Sequence, residues 1–215
     1  MMHPVGHEKD ERWCGLTQWQ RRRAFLLLTS SFILVLLLSP ALAGQEELAA
    51  LPAMGTPQGQ VRLLADEHYF PVLLDSIDRA RHRIDMVMFL LKAGDKKNNK
   101  PARLVEALIK ARRRGVEVEV VLEHSGYNDS INADNQQAAA TLRANQIKVR
   151  FDSPRRTAHA KLVVIDRRFS FVGSHNLSQA ALTYNHEISL LLDNRPLAEE
   201  LADYIAAIPE HHESF

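Results

Sequence analysis

Cysteine is almost missing. The 215-residue chain has one, Cys14, and its two tryptophans, Trp13 and Trp19, lie beside it. Beyond residue 43 there is no cysteine at all. That excludes a disulfide framework, a thiolate metal site and a cysteine nucleophile from the rest of the chain. Glycine and proline are scarce, at nine each, so the chain is neither collagen-like nor of low complexity. No cluster of acidic residues suits a two-metal centre. One sign of charge does not dominate either: 27 Lys+Arg face 26 Asp+Glu.

Only one long apolar run occurs, at residues 24–38, directly after Arg21, Arg22 and Arg23. Pro40 and Ala41-Leu42-Ala43 follow it. A basic segment, an apolar segment and an A-x-A end describe a secretory signal peptide, cleaved after Ala43. The same stretch approaches the roughly 20 residues of a membrane span, so an uncleaved anchor is the alternative. A periplasmic or secreted protein is expected from the first reading, a membrane-anchored one from the second. Residues 44–60, with Gly55, Pro57 and Gly59, read as a flexible tether. Residues 61–208 then form one catalytic-sized domain, and 209–215 a tail.

After residue 43, 22 Lys+Arg oppose 23 Asp+Glu. They are unevenly placed: residues 79–114 hold 12 basic and 3 acidic side chains, residues 185–215 hold 1 and 7. A basic stretch is either a footprint for a phosphate-rich partner or a set of solvated helix faces.

Periodicity predicts strands at 61–64, 83–91, 116–122, 148–151, 161–165, 169–172 and 188–192. Helices are expected at 69–81, 101–114, 135–144 and 197–208, with Gly115 as a C-cap and 123–133 as a polar loop. Strands alternating with helices indicate an α/β fold: a mixed, mostly parallel β-sheet with helices on both faces.

The chemistry lies in one segment. His159-x-Lys161 is followed by four residues and Asp166, then by six residues and Gly173-Ser174-x-Asn176; Glu187 comes shortly after. Strand alternation puts His159 and Lys161 on one face. An imidazole there can attack phosphorus or move a proton near neutral pH, and an ammonium can balance phosphoryl charge without a metal. Ser174 and Asn176 add neutral donors. Alternation sends Asp166 to the opposite face if the strand continues. His7-x-Lys9 repeats the first element, but Cys14 stands where Asp is required.

This H-x-K-x4-D-x6-G-S-x-N pattern resembles the phospholipase D, or HKD, superfamily. The resemblance implies a phospholipase D-like α-β-α sandwich and a catalytic set of His159, Lys161, Asp166 and Glu187. It makes His159 the nucleophile of a phosphohistidine intermediate, and Lys161, Ser174 and Asn176 the phosphate-binding groups. Glu187 would orient the imidazole, and Asp166 would serve structurally or at one remove. Many members carry a Tyr in the strand at 83–91, where this chain has Met86, Met88 and Phe89. No cofactor and no metal is implied.

The family's mechanism uses two histidines, and this chain has one motif. A homodimer with a composite active site is therefore expected. The short form resembles bacterial periplasmic endonucleases, making nucleic acid the expected substrate. A phospholipid substrate is the alternative, and a non-catalytic nucleic-acid or lipid-binding module the third reading. Arg155 and Arg156 are candidate substrate contacts. The motif leaves His175 and His186 free, so both are expected at the rim, and His211-His212 in a solvated tail.

Overall fold

A computed structural model describes residues 59–94, 99–153 and 155–211. The signal-peptide or anchor segment, almost all of the tether and the last four residues lie outside them.

Seven strands form one sheet in the order β1-β7-β6-β5-β2-β3-β4. They are β1 (Gln60–Ala65), β2 (Arg83–Met88), β3 (Glu117–Leu122), β4 (Lys148–Phe151), β5 (Lys161–Ile165), β6 (Phe169–Gly173) and β7 (Ile188–Asp193). The helices are α1 (Tyr69–Arg79), α2 (Lys100–Arg113), α3 (Asp129–Ala144) and α4 (Arg195–Ala207). The mixed α/β sheet is as expected, but its balance is not. Two strand pairs are parallel, β2·β3 and β3·β4. Four are antiparallel: β1·β7, β2·β5, β5·β6 and β6·β7. The reason is that helical crossovers between neighbouring strands occur only in 83–151; β5 and β6 are joined by a tight hairpin, which forces antiparallel pairing.

Alternation along the strands sorts side chains onto two faces. Met86, Met88, Val120, Val163 and Phe171 pack under α1, α2 and α3 in the larger core. Val87, Val121, Leu162 and Val164 pack under α4 in the smaller one. Each of the last three helices starts at an asparagine. Asn99, Asn128 and Asn194 accept from the N–H groups of Ala102, Ile131 and Leu197 at 2.7, 3.2 and 3.1 Å. A side-chain oxygen that satisfies a free N–H at a helix start stabilises it by about 1 kcal/mol. The cap on Asn128 explains why α3 begins six residues earlier than its apolar periodicity indicates. Gly115, at φ +94°, ends α2 as expected.

The basic residues 112–114 sit at that same end. Arg112 donates to the Gln146 carbonyl, Arg113 to Asn145 Oδ1 and Arg114 to the Ile77 carbonyl, at 2.9, 3.2 and 2.9 Å. A 14-residue helix is about 21 Å long. Since α2 runs back from the carboxyl end of β2, these arginines lie at the edge of the sheet away from the residues described next. They tie helix ends together.

Candidate active site

The site occupies the edge where β2 and β3 end and β5 begins. The β2·β5 ladder continues one step past Met88, because the Phe89 N–H donates to the Ala160 carbonyl at 3.2 Å. Extended backbone before β5 therefore keeps His159 and Lys161 on one side. Both meet the Phe89 ring: the imidazole centre is 4.7 Å from it, and Lys161 Nζ is 4.7 Å from it. Phe89 thus stands where sequence reasoning noted only a departure from a family pattern.

Lys161 is 8% exposed and donates to the His159 carbonyl at 2.7 Å. Burial lowers its pKa, while the negative charge of Glu187 raises it. His159 is exposed, and its ring makes no hydrogen bond among the described residues. It presents a free imidazole nitrogen at the surface of the site.

Ser174 and Glu187 face each other across the ends of β6 and β7. The Ser174 hydroxyl donates to Glu187 Oε2 and accepts from the Ile188 N–H at 3.1 Å. Asn185 Nδ2 donates to Glu187 Oε1 at 3.1 Å. The expected bond between Glu187 and the His159 ring is not formed within one chain. Glu187 is held two strands away from β5, roughly 9.5 Å in sheet spacing, with both oxygens engaged. Ser174 likewise directs its proton at Glu187 rather than at open space. Gly173 makes this approach possible: a Cβ there would collide with Ser189 Oγ and the Ile188 carbonyl. Asn176 is half-buried, and its Oδ1 has no partner among the described residues.

Asp66, which the motif does not include, anchors Glu187 from β1's end. Its Oδ1 accepts the Glu187 N–H at 2.9 Å, and its own N–H donates to the Glu187 carbonyl at 2.8 Å. The first of these bonds is the main favourable influence holding the Asp66 carboxyl below its usual range.

Asp166 lies at the other end of β5. Its carboxylate accepts the N–H groups of Arg81, His82 and Arg83 at 3.0, 2.8 and 3.0 Å. Desolvation opposes the charge, but those three donors win and lower the pKa. With φ +52°, Asp166 also opens the β5–β6 hairpin, and it clasps that hairpin to the segment entering β2. Its carboxylate is thus engaged by main-chain donors at the end of β5 away from His159.

The rim expectation for His175 is wrong. The residue is fully buried, stacked on Tyr69 at 4.2 Å and 7°. Nε2 lies 2.9 Å from the Asp66 carbonyl, and Nδ1 lies 2.8 Å from Ser189 Oγ. A carbonyl only accepts, so Nε2 carries the proton and Nδ1 accepts from Ser189. Burial lowers the His175 pKa, consistent with a neutral ring. A histidine in a free motif position gives no signal of this. His186 is at the rim, 3.5 Å from Asp66 Oδ2. His211 is not solvated tail: it stacks on His124 at 4.7 Å, and its N–H donates to the Phe151 carbonyl. His212 lies outside the described residues. Arg155 and Arg156 are exposed, and neither guanidinium has an ion-pair partner among the described residues.

Two grooves border the site on the α4 face. One, of about 330 Å³, includes His159, Lys161, Val172, Leu201 and Tyr204. The other, of about 190 Å³, includes Asp152, Arg156, Ala158, Tyr204 and Ile208. Tyr204 belongs to both.

A family model described as cardiolipin synthase, PLD-like domain, matches residues 73–208. A phospholipase D of Rickettsia felis is 30% identical over 127 residues, 59% of this chain and 57% of that protein. Cardiolipin synthase A of Pectobacterium carotovorum is 28% identical over 145 residues, 66% of this chain and 28% of that protein. The matched region thus spans little more than half of the first relative and under a third of the second. Nuc of Salmonella typhimurium, a phospholipase D family member, has a similar solved structure: TM-score 0.60, 24% identity, 69% of this chain and 93% of that one. NucT of Helicobacter pylori matches with TM-score 0.56, 18% identity, 70% of this chain and 96% of that one. At these identities the two structures establish the fold.

Proposed function

Because the chain belongs to the phospholipase D-like family, we propose that it hydrolyses phosphodiesters through a phosphohistidine on His159. The observation that carries this reading is the open imidazole of His159 beside the sequestered ammonium of Lys161, both seated on Phe89. A ring nitrogen of neutral His159 attacks phosphorus, and the bond to the leaving oxygen breaks as that oxygen takes a proton. Water then attacks the phosphohistidine, loses a proton and releases a phosphomonoester and free imidazole. Lys161 and the amide of Asn176 stabilise the negative phosphoryl oxygens, which is the work a divalent ion does elsewhere.

The proton for the leaving oxygen comes from His159 of a second copy. An apolar strip supports such a pairing. Val61, Leu63, Val172, Ile188 and Leu190 are 37–61% exposed. Leu63, Leu190 and Val172 lie in direct register across β1, β7 and β6. All five share one sheet face, beside Ser174 and Glu187, that α4 leaves uncovered.

The substrate of this reading is DNA or RNA. Exposed Arg155 and Arg156 precede the motif, and Tyr127 and Tyr184, each 76% exposed, stand at loops of the same edge. Cations and open aromatic faces suit phosphate and unpaired bases. Export rests on residues 1–43. A second reading, hydrolysis of phosphatidyl lipids, is favoured by the largely apolar grooves along α4. The test offers the purified protein, in EDTA, plasmid DNA, RNA and phosphatidylcholine vesicles in parallel, with acid quenching to trap phosphohistidine. Nucleic-acid cleavage with a trapped intermediate is expected. Head-group release alone would select the lipid reading, and silence restored by a divalent ion would sink both.

A further inference from the structure

Two carboxyl groups behind His159 take no part in the phosphoryl chemistry. Glu123 follows β3 and Asp152 follows β4, and they are 1% and 2% exposed. Leu122 and Phe151 are register partners on neighbouring parallel strands, so the next residue on each brings the two acids side by side. Two carboxyl groups buried this close together repel and lose hydration when both are charged, which favours one proton kept on the pair.

The pair is gripped from several directions. The Ala158 N–H donates to Glu123 Oε2 at 2.7 Å, and the His124 N–H to Asp152 Oδ1 at 2.9 Å. Asn135, fully buried, fixes the Glu123 carbonyl from α3 at 3.0 Å. The same amide group holds the Phe89 carbonyl at 2.9 Å, and its oxygen accepts the Leu91 N–H at 2.9 Å. One buried unit therefore holds both the ring under the catalytic pair and the residue preceding His159.

We propose that Glu123 and Asp152 form a proton-sharing clamp that positions His159 through the Ala158 N–H, and that the clamp loosens when the shared proton leaves. The inference rests on the reading of His159 as nucleophile. Glu123 and Asp152 are positioning residues, since neither touches the reacting atoms.

The electrostatics fit this geometry. Burial first, then the Asp152 charge, pushes Glu123 up to about 7, against the pull of the Ala158 N–H. Burial also raises Asp152, against the N–H groups of His124 and Ala158. Several ionisable groups face the pair. His124 stands at the end of β3, stacked on His211 from the C-terminal segment. Glu210 bridges to Asp152 from that segment. Arg156 and Tyr204 line the groove that Asp152 floors, and His159 follows Ala158. A charged His124 lowers Asp152. The folded pKa of Glu123 exceeds its ordinary 4.5, so the clamp's proton-linked stability is fully present below that value. It is lost as pH rises through about 7.

The test follows the Ala158 amide and the His159 ring by NMR from pH 5 to 9 in the full chain, with turnover of bis(4-nitrophenyl) phosphate measured alongside. In the wild type the Ala158 amide signal should titrate near neutrality, and the His159 ring signals should shift with it. Glu123→Gln, which mimics the protonated acid, should abolish that titration and extend activity on the alkaline side. Glu123→Ala should lower kcat by about tenfold with a smaller change in KM, as misplacement of a reacting group does. Asp152→Asn supplies a second variant and should also flatten the titration. A wild-type Ala158 signal flat across neutrality, or an unaltered titration in Glu123→Gln, would overturn the clamp. Titration without phosphodiester turnover would instead overturn the catalytic reading and leave the clamp standing.

Discussion

Lys161 Nζ lies 4.7 Å from the centre of the Phe89 ring, on the ring that the His159 imidazole also meets. A half-buried aromatic face thus supports both side chains without competing for their hydrogen bonds. The cation–π contact adds about 0.5–1 kcal/mol, more where water is excluded. Phe89→Leu keeps an apolar wall but loses that attraction and the flat seat of the imidazole. We expect kcat to fall about two- to fivefold on these magnitudes, with little change in melting temperature. Unchanged steady-state rates would show that the ring serves only as filler.

His159→Ala and Asp166→Ala should separate chemistry from scaffold. His159 is exposed and unbonded, so its removal should leave the melting temperature nearly unchanged and cut turnover at least about 100-fold. Asp166 accepts three main-chain N–H groups at 2.8–3.0 Å. Losing these should cost on the order of 3 kcal/mol. For a domain of this size that lowers melting by about 6–12 °C. Turnover per folded molecule should survive. Equal loss of activity in both variants, at equal stability, would return Asp166 to the catalytic set.

Burial holds the His175 imidazole below its ordinary 6.5. The unfolded chain therefore takes up a proton before the folded one does. Stability from this source is complete above 6.5 and is lost as pH falls below it. Glu123 contributes with the opposite sign over an overlapping range, so the wild-type profile should be shallow between pH 5 and 7. Glu123→Gln removes one side of the balance. Its urea midpoint should drop measurably from pH 7 to pH 5, and a flat midpoint would contradict the neutral, sealed His175.

The uncovered strip on β1, β7 and β6 gives a direct test of assembly. Leu63→Asp with Leu190→Asp places charge at two positions that are already 60% and 37% exposed, so folding should survive. Light scattering should report two copies for the wild type and one for the variant, with hydrolysis lost in step. A fully active single chain would remove the need for a second histidine.

Much of this architecture was legible from residue patterns. The runs at 83–88 and 117–122 alternate poorly because both faces are covered, and that is what a central strand looks like. The run at 83–91 nevertheless overstates β2, which ends at Met88. After the Phe89 N–H the ladder with β5 stops, because Asn135, 46 and 44 residues onward, donates to the Phe89 carbonyl and accepts the Leu91 N–H. Periodicity has no access to a partner that far away. The spacing from His159 to Asn176 was legible as a motif, and the fold places His159 and Lys161 against one ring while Asp166 lies at the opposite end of β5. Tertiary neighbours decided the rest. Nothing local distinguishes exposed His186 from sealed His175, and two acids 29 positions apart, Glu123 and Asp152, become a pair only through strand register.

Gly173 has no reactive group, yet it decides whether Ser174 can reach Glu187. Every codon change that replaces it adds a Cβ, and that atom meets Ser189 and the Ile188 carbonyl. In a saturation library the position should behave like His159 itself, with no tolerated amino acid. The cause would be opposite: His159 is irreplaceable for what it carries, Gly173 for the space it leaves empty. A tolerance map would therefore show two equally dark columns, and only the folded yield of each variant would tell them apart.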